Sequence, residues 1–382
     1  MDLVLSQEQQ LLARTAREFV SGKSSLKRIR ALRDGGDPDG FSRELWREMG
    51  ALGWLGIVLP ESYGGAGLGY TDLMVVMEEL GRGLVPEPML STVLLGANAI
   101  LLGGAEAQRQ EHLPAVAAGE RVLALAFQET RSRYRLDWVE TRAERSGAGW
   151  VLRGEKIHVL DGHVADRLIV SARTAGAAGD AAGITLFLLR PDTPGLTVTR
   201  QHRVDCRNAA LVRLDDVRAD EAAVLGTVGA GGELLRRVVD RATIGLTAEM
   251  LGGMQVAFEM TLDYLKTRVQ FGVPIGSFQA LKHRAAQMYV ELELVRSAVM
   301  DAHRAVDEGR DEAAIARAAS IAKARCSDVF VLVGNESVQM HGGIGMTDEH
   351  DIGFFLKRAR VAEMTFGDAA YHRDRVAELE GF

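Results

Sequence analysis

Two histidines near the carboxyl end of the chain have a spacing that could support chemistry. His341 and His350 lie on either side of a glycine-rich turn, and imidazoles are common metal ligands. No further ligand stands at a useful spacing, so a core or solvent-facing histidine is the favoured interpretation of each, and we predict no metal site. The cysteines, Cys206 and Cys326, can form neither a metal cluster on their own nor a disulfide framework, and they fit a reducing compartment.

Common nucleotide-binding and catalytic signatures are missing from the sequence. No GxGxxG motif follows a predicted strand, and no Walker A loop, HExxH or GxSxG string occurs. The segment RSRYRLD (131–137) combines arginines with one tyrosine, but the chain carries a net charge of −7. We therefore predict neither a Rossmann dinucleotide site nor a nucleic-acid partner.

The N-terminal segment, residues 1–20, has the pattern of a charged amphipathic helix and lacks the apolar core of a signal peptide. The most apolar stretch, residues 84–104, is interrupted by two prolines, Glu87 and Asn98, which is too often for a bilayer span. These features predict a cytoplasmic protein that has no membrane partner.

The first third of the chain has a helical pattern. Apolar residues recur three and four apart over residues 5–20, and similar patterns follow over 44–60, 90–102 and 108–117. Another helix is predicted over 71–82, with Thr71 or Asp72 as its N-cap. The chain has only 8 prolines, which favours long helices.

The pattern changes near residue 121. Six short apolar or alternating segments follow, separated by glycine- and proline-rich turns: VLALAFQE, WVLRGEKIHVL, RLIVSA, GITLFLLR, GLTVTR and AALVRLDDV. Strands without helices between them indicate an antiparallel sheet or barrel.

From residue 229 the helical pattern returns. Apolar residues at steps of three and four run from Ala285 to Val306 and from Ile315 to Val333, which is typical of long helices packed as an antiparallel bundle. The fold class is therefore α+β, with a helical domain (1–121), a β-barrel domain (122–228) and a helical bundle (229–382).

Four stretches together resemble the acyl-CoA dehydrogenase family. They are LGIVLPESYGGAGLGYTDLMVVMEELGR (55–82), LKTRVQFGVPIGSFQALKHRAAQM (265–288), SVQMHGGIGMTDEHDIGFFLKRAR (337–360) and EMTFGDAAYHR (363–373). The resemblance implies a helical N-terminal domain, a middle antiparallel β-barrel and a C-terminal four-helix bundle. It also implies FAD, oxidation of acyl-CoA thioesters to trans-2-enoyl-CoA, and an electron-transfer flavoprotein as electron acceptor.

The resemblance also implies which residues contact the cofactor. Arg268 matches an arginine that reaches the flavin diphosphate, and its planar donor fork suits phosphate. The other matching positions are Phe271, Gln279, Gln339, Gly342 and Gly343. The alternative is that Arg268 caps a helix C-terminus and the glycines merely form a turn.

The positions that hold the catalytic base in the family contain no carboxylate here. A glutamate in the last motif corresponds to Phe366, and the alternative position before RxxFG corresponds to Ala242. Two carboxylates stand near these positions. Asp368 lies two residues beyond the first position. A shift of two residues in the alignment would bring Asp240 into the second position. A helix cap or surface acid is the favoured interpretation of Asp368.

The positions that contact the flavin edge in the family are also altered. In QETRSRYRLD (128–137), Gln128 replaces a threonine whereas Glu129 is retained. In HVLDG (158–162), His158 replaces a tryptophan and Leu160 a threonine, so position 160 cannot donate a hydrogen bond. His158 can still stack or hydrogen-bond at the flavin, and a core histidine is the alternative.

Three hypotheses follow. The favoured one is a base-lacking partner chain in a hetero-tetramer, similar to the small subunits of bacterial pimeloyl-CoA or sterol side-chain dehydrogenases in fatty acid or steroid catabolism. The second is a self-sufficient homotetrameric acyl-CoA dehydrogenase with a non-standard base. The third is a flavin-free scaffold on the same fold.

Overall fold

The computed structural model describes residues 4–382. Their α-helices are α1 (Gln7–Lys23), α2 (Leu26–Gly35), α3 (Arg43–Ala51), α4 (Tyr70–Arg82), α5 (Asn98–Gly103), α6 (Glu106–Ala117), α7 (Gly231–Thr267), α8 (Gln279–Asp307), α9 (Glu312–His341), α10 (Ile352–Met364) and α11 (Ala369–Glu380). Their strands are β1 (Leu123–Ala126), β2 (Arg142–Ser146), β3 (Gly149–Leu160), β4 (Arg167–Arg173), β5 (Ile184–Leu189), β6 (Leu196–His202), β7 (Asn208–Asp220), β8 (Val224–Leu225), β9 (Val269–Gln270) and β10 (Val273–Pro274). A π-helix, Met89–Ala97, precedes α5.

The chain folds into two compact units. The helical unit contains the residues up to Asp34, Gly69–Val85 and Thr243–Phe382, and the sheet unit contains Gly35–Leu68 and Pro86–Ala242. Each unit thus draws on parts of the N-terminal region. The consecutive domains 1–121, 122–228 and 229–382 stay a sequence prediction.

The N-terminal helix of the helical unit begins where local chemistry favours it. The Ser6 hydroxyl accepts a hydrogen bond from the Gln9 backbone N–H (3.2 Å), and the Gln9 side chain accepts one from the Ser6 N–H (3.1 Å). This reciprocal pair is a capping box, which satisfies two donors that the helix itself leaves unpaired. The helix predicted over residues 5–20 is confirmed as α1.

Helix α4 begins differently from its sequence prediction. Its N-cap is Gly69 rather than Thr71 or Asp72. The carboxylate of Asp307, at the end of α8, accepts from the N–H groups of Tyr70 (2.5 Å) and Thr71 (2.8 Å). Asp72 instead accepts from the Gly69 N–H (3.0 Å). The donors of the first turn are therefore satisfied by a side chain 236 residues away from Thr71, which local sequence could not indicate.

The sheet unit is built around one sheet of eight strands in the order β6-β7-β3-β2-β4-β5-β8, with β1 beside β4. The six predicted strand segments are confirmed as β1 and β3 to β7. Most neighbours run antiparallel, as expected, but β1 runs parallel to β4, and β2 meets β4 in parallel at Arg142 and Arg173. The hydrogen-bonded path of the described strands ends at β6 and β8 rather than closing on itself.

Strand β2 is not predicted because its residues, RAERS, lack an apolar alternation. It forms because it pairs with β3 along its whole length, from Arg142 opposite Arg153 to Ser146 opposite Gly149. Trp150 of β3 contacts Phe187 of β5 edge to face, with 5.6 Å between ring centroids, inside the core of this unit.

The periodicity predicted for the C-terminal helices is confirmed. The buried residues of α8 include Ala285, Met288, Leu292, Val295 and Val299, and those of α9 include Ile315, Ala318, Ala322, Cys326 and Val329. These seams hold the long helices of the helical unit together by burying apolar surface. Within residues 4–382, no helix combines the length and apolarity that a membrane span requires.

Candidate functional site

A groove of about 540 Å³ lies where α7 and α9 end in the helical unit. Helix α7 stops at Thr267, directly before Arg268, and α9 stops at His341, directly before Gly342 and Gly343. The groove is lined by Tyr264, Arg268, Gln270, Ile275, Met340, His341, Gly342, Gly343 and Ile344. Three of the residues predicted to bind a cofactor are therefore brought together.

Arg268 presents an unpaired cation in this groove. Its backbone N–H continues the helix by donating to Tyr264 O (2.9 Å), but no group of residues 4–382 pairs with its guanidinium. Most arginines of the helical unit have a carboxylate partner; Arg284, for example, donates to Glu336 at 2.5 Å. The interpretation of Arg268 as a side-chain cap of α7 is not supported, and its donors are available to an anion.

The glycines leave the backbone of the groove open. Gly342 has φ +64°, a left-handed conformation that favours glycine. A Cβ atom added at Gly342 or Gly343 would meet no atom within 4 Å. Both glycines line the groove, so a flat, charged group can approach the main chain closely there.

Two aromatic rings that were not predicted as cofactor contacts, Tyr264 and His341, line the groove, and His350 packs against them. The ring of His341 stacks on Tyr264, with centroids 4.5 Å apart, and lies 4.4 Å from that of His350. Tyr264 precedes Arg268 by four residues and so shares its face of the helix end. That spacing is the signal from which its place in the groove could have been inferred.

The other residues predicted at the diphosphate side are exposed but lie outside the groove lining. Phe271 is 92% exposed at the tip of the β9–β10 hairpin and has φ +55°. It contacts only the edge of Phe278 among the rings of the described residues, at 6.1 Å. Gln279 begins α8, and Gln339 lies in the last turn of α9. All three face solvent in the single chain.

The position at which the resemblance places the family base is closed. Phe366 is 7% exposed and has φ +63° in the turn between α10 and α11. Asp368 is the N-cap of α11, where its carboxylate accepts from the Tyr371 N–H at 2.9 Å. The interpretation of Asp368 as a helix cap is confirmed.

A buried lysine holds this turn. Lys323 of α9 is 0% exposed, and its ammonium donates to Gly367 O (2.7 Å), Glu363 O (2.9 Å) and Ser327 Oγ (2.9 Å). Burial lowers the pKa of Lys323 to about 7. Each of its three N–H donors has an acceptor, so Lys323 fixes the turn and its amine has no free hydrogen-bonding capacity there.

The alternative base position lies on α7. Ala242 is 0% exposed and Asp240 is 5% exposed. Two residues along an α-helix point about 200° apart, so Asp240 cannot take the direction of Ala242. Asp240 could occupy the place of Ala242 only if the helix were interrupted between them. Helix α7 runs unbroken from Gly231 to Thr267, so this shift of two residues does not occur.

Gln128 and His158 are adjacent in the sheet unit. The Ile157 N–H donates to Gln128 O (2.9 Å), and His158 follows in an irregularity of β3 between Lys156 and Val159. His158 is exposed and has φ +52°, which is rare for a residue with a side chain. His158 therefore lies outside the regular pairing of β3 with β7 and is exposed, so its imidazole is accessible to a ligand.

Glu129, retained from the family motif, has a structural role. Its buried carboxylate accepts from Lys156 Nζ (2.6 Å) and from the backbone N–H groups of Glu140 (2.6 Å) and Thr141 (3.0 Å). Burial alone raises the pKa of Glu129, but Lys156 and these hydrogen bonds outweigh it, so the pKa lies below its usual value. Glu129 thus fixes the loop from residue 129 to 141.

Comparisons with known proteins identify the family of the chain. Models of the acyl-CoA dehydrogenase N-terminal, middle and C-terminal domains match residues 6–120, 124–217 and 229–379. The chain is 32% identical over 375 residues to the mitochondrial isovaleryl-CoA dehydrogenase of Pongo abelii, an alignment that covers 97% of this chain and 88% of the relative.

Two solved structures are similar over nearly the whole chain. A variant of the Tcur3481–Tcur3483 steroid ACAD has a TM-score of 0.87 and 32% identity, with 98% of each chain covered. The ChsE4–ChsE5 complex from Mycobacterium tuberculosis has a TM-score of 0.89 and 28% identity, with 100% of each chain covered.

The three matching domains define a flavoprotein dehydrogenase. This chain belongs to the acyl-CoA dehydrogenase family, the FAD-dependent oxidoreductases that dehydrogenate acyl-CoA at a CH–CH bond. The groove at Arg268 fits the diphosphate side of FAD, because it offers an unpaired cation and an open backbone. The flavin edge fits less well, since Leu160 offers no donor.

Proposed function

We propose that this chain is the base-lacking subunit of a heteromeric acyl-CoA dehydrogenase. The observation that carries the proposal is the closed turn at Phe366, where a buried phenylalanine stands in the place of the family glutamate. Phenylalanine cannot accept the α-proton of an acyl-CoA thioester. The base, and the acyl-CoA that it acts on, then belong to the other chain of the complex.

In this proposal the chain completes the cofactor site of its partner. FAD, when bound, accepts the hydride that leaves the β-carbon. Arg268 binds the diphosphate through its fork of donors, and the open backbone at Gly342 and Gly343 allows the phosphates to approach. Gln279 and Gln339, exposed at the ends of α8 and α9, supply amide groups to the same ligand. An electron-transfer flavoprotein then collects the electrons.

The surface beside the groove supports assembly with a second dehydrogenase chain. Large apolar side chains are exposed along the hairpin and α8: Val269, Phe271, Val273, Phe278, Tyr289, Val290 and Leu294. A soluble single chain rarely exposes so many neighbouring apolar residues without a partner. Two of the similar structures are each named for a pair of chains. A tetramer of two such pairs is the arrangement that we propose.

The self-sufficient homotetramer remains a second candidate because Asp240 is a buried carboxylate on α7. In that enzyme the acyl-CoA would lie on the Asp240 side of α7, away from the direction of Ala242, and Asp240 would remove the α-proton. The substitution Asp240→Asn keeps the size of the side chain and removes the base, so it would abolish turnover while leaving flavin bound. Unchanged turnover would exclude Asp240 as the base.

The first experiment measures flavin absorbance per chain for the protein expressed alone and co-expressed with an acyl-CoA dehydrogenase chain that carries the glutamate. A colourless single chain and a yellow complex support the partner-subunit proposal. One FAD per chain in the protein alone supports the homotetramer. A colourless protein that forms no complex would indicate a scaffold and overturn both proposals.

Arg268→Ala tests the groove within the co-expressed complex. We expect flavin content to fall while the two chains still assemble, because a charge-assisted contact to the diphosphate is lost. Arg218→Ala, an exposed arginine on β7 of the sheet unit, is the matched control and is expected to leave flavin content unchanged. Equal flavin content in the two variants would contradict the cross-subunit site.

A further inference from the structure

The segment between β1 and β2 carries a cluster of exposed arginines that takes no part in the groove. Arg131, Arg133 and Arg135 stand at alternate positions, and all three are exposed. The side chains of Arg131 and Arg135 are 69% and 55% exposed. Three guanidinium groups are therefore accessible on one short segment, the arginine loop (residues 131–138).

The main chain of the arginine loop is fixed by buried groups. Ser132 is 2% exposed, and its hydroxyl accepts from the Glu129 N–H at 2.9 Å. Arg173, 1% exposed, donates from below to Asp137 O (2.7 Å) and Val139 O (3.1 Å). A loop that is already ordered loses little conformational entropy when it binds a partner.

Aromatic rings orient the three guanidinium groups. Arg131 and Arg135 lie over the ring of Trp138, at 5.4 Å and 5.2 Å from its centroid. Arg133 lies 5.5 Å from the ring centroid of Tyr134. Stacking holds the planar donor fork of an arginine in a defined orientation. Arginine, tyrosine and tryptophan are also the residues that contribute most to binding at protein interfaces.

The backbone at Arg133 has a conformation that glycine would adopt more readily. Its φ is +48°, in the left-handed region, where a side chain costs free energy. The side chain is exposed, so burial in the core does not offset that cost. Such residues concentrate at functional sites, where the strained conformation serves an interaction. The conformation of Arg133 thus indicates a use for its side chain outside the fold.

The accessible charge of the arginine loop is positive. Asp137 pairs with Arg135 and Glu140 pairs with Arg131, each at 3.1 Å. These carboxylate side chains are only 29% and 40% exposed, less than the arginines that they contact. Exposed ion pairs contribute little to stability, and each guanidinium has five N–H donors. The arginines can therefore bind further carboxylates.

We propose that the arginine loop is a docking surface for an acidic protein segment, whose Asp or Glu side chains pair with Arg131, Arg133 and Arg135. A nucleic acid is a poorer match, because a long polyanion would also meet the rest of a chain whose net charge is −7. A short acidic segment needs only local charge complementarity. The proposal requires no ligand in the groove at Arg268.

The test is fluorescence anisotropy of a labelled decaglutamate peptide, titrated with the full chain. We expect binding at about 20 mM salt that weakens steeply toward about 300 mM, because exposed charges are screened. Combined replacement by Arg131→Gln, Arg133→Gln and Arg135→Gln should weaken binding about 10-fold, since three charge pairs are lost. A native chain that does not bind the peptide at low salt would overturn the proposal.

Three other exposed arginines of the sheet unit provide a matched control. Each is paired with a carboxylate, and the control variant combines Arg145→Gln, Arg190→Gln and Arg213→Gln. This variant changes the net charge by the same amount and should bind the peptide within about 2-fold of the native chain. An equal loss of affinity in the two variants would show a response to net charge alone and overturn the docking surface.

A second measurement uses the native chain, so it does not depend on the folding of a triple variant. A peptide that binds Arg131 and Arg135 should change the emission of Trp138, and Trp138→Phe should abolish that change. Peptide binding without a change in emission would place the peptide elsewhere and overturn the proposal. Tighter binding of a ten-residue oligothymidylate than of decaglutamate would assign the arginines to a nucleic acid and also overturn it.

Discussion

Two turns of the helical unit differ in how completely their charged groups are satisfied. At the groove, the guanidinium of Arg268 and Nε2 of His341 have no partner within residues 4–382, and the glycines face open space. At the turn between α10 and α11, Lys323 uses all three donors and Asp368 caps a helix. The cation of the groove is thus available to a ligand, whereas the charged groups of the closed turn are satisfied within the fold, although both ring nitrogens of the neighbouring His372 are buried without a partner among residues 4–382.

The largest effect is expected from Gly367→Ala in the closed turn. Gly367 has φ +122°, and an added Cβ atom would lie 2.3 Å from Tyr371 Cδ1. Strain and overpacking together should lower the free energy of unfolding by about 3 kcal/mol or more. Gly343→Ala in the groove, where a Cβ meets nothing, should change it by less than about 0.5 kcal/mol. Similar losses in urea denaturation of the two variants would contradict the comparison.

Lys323→Met is expected to have the next largest effect. It removes the donor of Gly367 O, Glu363 O and Ser327 Oγ, which are left in a buried site. Unsatisfied buried acceptors should lower the free energy of unfolding by about 2–3 kcal/mol, partly offset by relief of the buried charge.

Lys266→Met, at an exposed position at the end of α7, is the control for the loss of a lysine and should be near neutral. Thermal denaturation of both variants measures their stability relative to the native chain. A Lys323→Met protein as stable as the native chain would show that the three hydrogen bonds do not hold the turn.

The closed turn should also be sensitive to acid through His372. Burial lowers the pKa of His372 to about 2, whereas the unfolded chain has the ordinary value of 6.5. Below pH 6.5 the unfolded state binds a proton that the folded state does not, so stability is lost as the pH falls. The loss approaches about 1.4 kcal/mol per pH unit, or about 2 kcal/mol between pH 6.5 and 5.

His372→Asn should reduce this pH dependence, and the exposed His283→Asn should retain it. Denaturation midpoints between pH 5 and 8 provide the measurement. If the native chain and His372→Asn lose stability in parallel as the pH falls, His372 is not the group that resists protonation.

The smallest effect on stability is expected from Phe271→Ser at the hairpin beside the groove. Phe271 is 92% exposed, so the free energy of unfolding of the single chain should change by less than about 0.5 kcal/mol. The same substitution should weaken assembly with the second dehydrogenase chain, because an apolar contact is removed. Analytical ultracentrifugation of the complex measures this, and intact assembly would place Phe271 outside the interface.

The motifs in the sequence indicated several parts of the groove but not how they work together. Arg268, Gly342 and Gly343 were predicted as cofactor contacts, and the structure places them in one groove. The stacking of Tyr264 on His341 was not predicted, because this contact joins the end of α7 to the end of α9. Strand β2 was missed for a similar reason, since pairing with β3 rather than its own pattern makes it a strand.

The sequence by itself determined the order of helical and sheet segments and the absence of a carboxylate at position 366. Periodicity and residue type suffice for both, because they depend on local geometry and on the chemistry of one side chain. The tertiary structure alone decided which polar groups are satisfied. Asp307 caps α4, Lys323 fixes the closed turn and Arg268 remains unpaired because of contacts between residues that are far apart in the chain. Burial and hydrogen bonding are properties of the packed molecule, and local sequence does not contain them.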